Sequence, residues 1–122
     1  MKRFITLGAL MGFIAVALGA MAAHALKEVL SAEEIASFQT GTRYLMYHAI
    51  VLLVLGFTGK EQYTLSGKLF FVGSLLFSFS IFFIYFFKLA GMPYKWLGPV
   101  TPLGGLILLL GWILLFIRSV KK

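Results

Sequence analysis

An all-α integral membrane protein, a four-helix bundle with both termini in the cytoplasm, is the fold class this sequence predicts. Three observations carry the prediction. Hydrophobic residues make up 61% of the 122 positions and charged residues only 12%, about half the charged share of a soluble domain. Mean hydropathy is +0.98. The apolar residues fall into four runs separated by short polar or glycine- and proline-rich connections, each run near the roughly 20 residues that cross a hydrocarbon core. A single membrane domain over residues 1–122 leaves no room for a second.

The net charge of +7 raises the question of nucleic acid. The basic residues, however, stand singly or in pairs at the ends of apolar runs, where they act as topology signals, so no nucleic-acid partner is expected. There is no cysteine, which removes thiol catalysis, disulfides and cysteine-ligated metal together. The expected surroundings are the lipid bilayer, with a second copy or another membrane protein as a further partner.

The first span is read as residues 4–25. Its basic start and small residues also describe a secretory signal with an A-x-A cleavage site. Its length and a patterned stripe favour a retained helix. Gly8, Gly12, Ala15, Gly19 and Ala22 step by four and three, which smooths one face so that a neighbouring backbone can approach.

Ser31 to Glu34 has the S-x-x-E form of a capping box and predicts a helix start. Ile35 and Phe38 suit a short interfacial helix over 31–40, with Gly41 permitting a bend into a second span over 42–58; one long unbroken helix is the alternative. The third span, 69–88, carries Ser74 and Ser78 on a stripe expected to face the bundle. Gly91, Pro93, Gly98 and Pro99 then punctuate a turn. The fourth span, 101–117, starts at Thr101-Pro102, with the threonine available as cap. Gly104, Gly105 and Gly111 give it a close-packing face.

Lys2, Arg3, Lys60, Lys68, Arg118, Lys121 and Lys122 fall at one end of this arrangement, and Lys27, Arg43, Lys88 and Lys95 at the other. The basic excess places both termini inside.

The residues that suggest chemistry are His24, Arg43, Tyr44, Tyr47, His48 and Thr101. Arg43 to His48 drives polar groups into an apolar helix, with Tyr44 and His48 sharing a face. His24 ends the first span and is expected at a depth comparable to His48. A neutral imidazole has one donor and one acceptor to satisfy. Tyrosine or Thr101 hydroxyls could supply the partners, making either a structural knot or a ligand site. Two histidines without membrane carboxylates are short of ligands for zinc, so no metal, cofactor or catalytic residue is expected. No nucleophile motif appears.

Three segments together carry a resemblance: Leu18-Gly19-Ala20-Met21-Ala22-Ala23-His24-Ala25-Leu26, then Tyr44-Leu45-Met46-Tyr47-His48-Ala49, then Gly98-Pro99-Val100-Thr101-Pro102-Leu103-Gly104-Gly105 with Gly111-Trp112. In order and spacing they resemble a bacterial family of small four-span membrane proteins catalogued as domain of unknown function 423, to which a eukaryotic transmembrane family is similar. The chain departs from that pattern at Ala22 and Phe79, where the family usually has glycine. The resemblance implies a retained first helix and a multi-pass protein of the bacterial cytoplasmic membrane, and supplies no activity. The expected function is non-enzymatic, acting through ligand, lipid or partner-helix binding; the alternative is a small-solute or proton carrier using His24 and His48.

Overall fold

Ser31 begins the longest element. Its hydroxyl accepts from the Glu34 N–H at 3.1 Å while the Glu34 carboxylate accepts from the Ser31 N–H at 2.9 Å, a reciprocal cap that satisfies two of the free donors at a helix start. In the computed structural model, which describes residues 1–121, the helix so capped runs unbroken over Ala32–Thr58. Lys122 of the expected basic end lies outside the described residues. The helix stops at Gly59, whose φ of 65° is the left-handed conformation that glycine adopts freely.

The elements in order are α1 (Lys2–Ala23), a short 3-10 turn (Ala25–Glu28), α2 (Ala32–Thr58), α3 (Thr64–Ser74), α4 (Ser80–Leu89) and α5 (Val100–Val120). A π-helical turn, Leu75–Phe79, joins α3 to α4, so the two form one rod. Four rods among the described residues are thus long and apolar enough to cross a membrane.

Of the two readings of this stretch, the unbroken helix is the one that forms, and α2 runs through Gly41. Gly41 is buried within α2, and a Cβ there would lie 2.8 Å from the Phe82 ring. Ile35 and Phe38, read as the apolar side of an interfacial helix, belong to the core. Phe38 is fully buried against Phe82, Tyr85 and Phe86, with ring centroids 5.0, 6.5 and 5.7 Å away. The start of the fourth rod also differs. Pro99 stands at the cap of α5, which has no side-chain cap bond, and Thr101 is already inside the helix.

Contacts fix the antiparallel registers. Gly8 faces Ala49 and Leu53, Gly12 faces Met46 and Ala49, and Gly19 approaches Thr42, so α1 descends α2 in step. Along the other seam Gly111 faces Phe70, Leu108 faces Gly73, Gly104 faces Phe77 and Thr101 faces Ser80. A Cβ on Gly104 would collide with the backbone N of Phe77, so α5 lies directly on the π turn. Within that turn Phe77 meets α2, its ring 5.1 Å from that of Tyr44. The chain thereby forms a bundle in which α2 and the α3–α4 rod are central, α1 lies against α2, and α5 lies against α3 and the π turn. The start of α1 and the end of α5 are at the same end.

Of the packing residues read from the sequence, Gly8, Ala15 and Ala22 are buried in α1, and Phe4 and Met11 complete that buried line. Gly12 and Gly19 flank it with room for a Cβ, their nearest neighbours being 3.9 and 4.0 Å away. Ser74 and Ser78 are buried, as are Gly104 and Gly111, while Gly105 is half-buried.

Candidate functional site

His48 is the buried ionisable residue of α2, 4% exposed. Its Nδ1 lies 2.7 Å from the Tyr44 carbonyl oxygen, one turn back on the same helix. Its Nε2 lies 3.0 Å from the Trp112 Nε1 of α5. These partners assign the tautomer. An indole N–H only donates and a carbonyl only accepts, so Nε2 carries the lone pair and Nδ1 the proton. The ring is therefore neutral with both nitrogens used, the condition a polar group in hydrocarbon must meet.

Phe70 of α3 completes the arrangement. Its ring packs edge-to-face with Trp112 at 4.9 Å and lies 5.5 Å from His48. It also rests on Gly111, where a Cβ would stand 2.9 Å from it. The glycine beside Trp112 thus makes room for the ring on which the tryptophan leans. Three rods meet here: α2 supplies the acceptor, α5 the donor, and α3 the aromatic floor.

The six residues read as one cluster do not assemble. The antiparallel step of α1 on α2 sets His24 level with about Ser37, eleven positions, or about 16 Å, from the level of His48. The expectation of equal depth fails because α2 starts at Ala32, so His48 lies well inside a helix that the sequence suggested starts near it. His24 caps the end of α1 and is exposed on an open surface with Ala23, Ala25, Lys27 and Glu28. Thr101 serves elsewhere, its hydroxyl 2.5 Å from that of Ser80. Arg43 is exposed and donates to the Thr40 hydroxyl at 3.3 Å. Tyr44 and Tyr47 lie on the outer surface with their rings tilted against each other at 5.7 Å, 40% and 52% exposed. Of the six, only Tyr44 and His48 are joined by a hydrogen bond, and through a backbone oxygen.

Trp112 is the partner that the sequence analysis does not bring to His48. Its signal was present. It lies twelve positions into the 21-residue α5, too deep for an interfacial anchor, and an indole N–H at that depth needs an acceptor. Other polar atoms remain without partners: the buried hydroxyls of Ser66, Ser74 and Ser78 along the third rod have none. No group of three or more metal-ligating side chains occurs among the described residues.

Comparison with known proteins agrees with this architecture. Residues 18–105 match the family model described as "Protein of unknown function (DUF423)". Over 99% of the chain and 98% of the relative, the sequence is 39% identical to a "UPF0382 membrane protein" of Staphylococcus epidermidis. It is 37% identical to "UPF0382 membrane protein YwdK" of Bacillus subtilis over the same shares. A "UPF0382 membrane protein" of Haemophilus influenzae is 38% identical over 99% of the chain and 96% of the relative. No solved structure matches. With the family model covering most of the chain and bacterial membrane proteins aligning from end to end, the protein belongs to the DUF423 family and is a multi-pass membrane protein.

Proposed function

We propose that the protein is a non-enzymatic membrane component that acts through its outer surface, against lipid or neighbouring membrane helices, and that its polar centre is a lock between helices. One observation supports this above the others: both nitrogens of His48 are engaged within the chain, by the Tyr44 carbonyl and the Trp112 indole. A carrier needs an intramembrane group that can release one partner and take another. His48 holds α2 to α5 with its whole bonding capacity. In this reading both termini face the cytoplasm, supported by the basic residues gathered at their end.

The test is proton flux into proteoliposomes loaded with a pH-sensitive dye. The expected result is flux no greater than in empty vesicles, and the same for His48→Ala. Flux that is present in the native protein and abolished in a folded His48→Ala variant would replace the lock with a carrier.

A further inference from the structure

The end of the bundle that carries both termini has a charge pattern the central lock does not use. Among the described residues it presents Lys2, Arg3, Lys60, Lys68, Arg118 and Lys121 against a single acid, Glu61. At the opposite end Lys27, Arg43, Lys88 and Lys95 face Glu28, Glu33 and Glu34, and Lys88 is paired with Glu34. Insertion bias accounts for which end is basic. It does not account for where the cations stand.

Lys68 stands on the membrane side of the others. Because the Leu69 side chain lies against Gly111, Lys68 is near the level of Ile113, about 7 Å inside the level of Arg118. Its chain neighbours are both covered, Gly67 by the Phe4 ring of α1 and Leu69 by α5. Lys68 itself is exposed, on the outer face of α3 between the side that Phe4 of α1 covers and the side that α5 covers. On α1, Lys2, Arg3, Thr6 and Leu7 border an open groove of about 450 Å³. Arg118 is held in place, donating to the Gln62 carbonyl at 3.0 Å while Gln62 donates to the Arg118 carbonyl at 3.3 Å.

A lysine set below the other cations of this end, one of which, Arg118, is held in place, fits a ligand that joins a phosphate to apolar chains. We propose that this end of the bundle binds the headgroup of an anionic phospholipid, with Lys68 meeting the phosphate from the outer face of α3 and Lys2 and Arg3 closing over it from α1. The proposal rests on the reading that the protein acts through its outer surface, and names one ligand of that surface. A zwitterionic headgroup brings its own ammonium against the same cations, so the site discriminates by net charge.

The test is native mass spectrometry of the full chain in detergent with phosphatidylglycerol or phosphatidylcholine of matched chains. The expected result is preferential retention of phosphatidylglycerol, lowered about fivefold by Lys68→Gln and unchanged by Lys95→Gln at the other end. Thermal unfolding confirms that each variant is folded, and the Lys2→Gln/Arg3→Gln double variant is expected to repeat the loss without touching the third rod. Equal retention of the two lipids overturns the proposal, as does equal loss from Lys68→Gln and Lys95→Gln. The flux result above is independent of either outcome.

Discussion

The two outer rods, α1 and α5, are attached to the centre by different means. Among the described residues α1 makes no side-chain hydrogen bond to another helix; it is held by shape, with Gly8, Ala15 and Ala22 buried against α2. α5 has shape as well, at Gly104 and Gly111, and adds polar links at three depths: Thr101 to Ser80, Trp112 to His48, and Arg118 to Gln62. Lipid is as apolar as the side chains it would replace, so hydrophobicity does not distinguish a packed helix from a free one. A smooth seam gains contact but tolerates sliding. Bonds at three depths admit one register.

Breaking the shape of each seam should give the largest effects. Gly104→Leu forces a side chain into the backbone of the π turn, and we expect loss of folded protein in detergent extracts, assayed by size-exclusion profile. Gly8→Leu meets the Ala49 carbonyl, which a Cβ would approach to 2.7 Å, and should cost about 1–3 kcal/mol, the usual range for overpacking. On the same helix Gly12→Ala, whose Cβ would meet Met46 and Ala49 only at ordinary contact distance, should leave the unfolding midpoint unchanged.

The polar links come next. Trp112→Phe keeps a ring over Phe70 but removes the donor to His48, with an expected cost of about 0.6–1.7 kcal/mol. Combining it with His48→Leu should cost less than the two changes added, because each alone strands a polar group or leaves a void. Strict additivity in denaturant titrations would mean that the two side chains are not coupled. Among the polar links the smallest effect on the unfolding midpoint is expected from Lys88→Gln or Glu34→Gln, since an ion pair in contact with solvent gains little over its hydrated partners.

This contrast explains what could be read in advance. The rods and the glycine seam of α5 follow from hydropathy and from spacings of three and four, which are local. A bend at Gly41 and an unbroken helix both stay open in the sequence because glycine permits a bend without requiring one; Phe82 of a distant segment packs on the unbroken form. The site was misread for a related reason. Depth along α2 depends on where that helix starts, and the capping box at Ser31 set the start ten residues before the apolar run. Once α2 is counted from Ala32, His48 falls near the depth of Trp112, and the pairing of an acceptor with a donor becomes legible.

That early start has a consequence for the surrounding bilayer. At 1.5 Å per residue, α2 is about 40 Å long and α5 about 31 Å. The α4 limb follows α2 upward, with Phe83 and Leu89 exposed along it. Lipids beside α5 and lipids beside α4 thus meet apolar walls of unequal height. The protein should tilt, or thicken the membrane on one flank only, and its preferred neighbours would then be proteins or lipids that suit a local step in bilayer thickness.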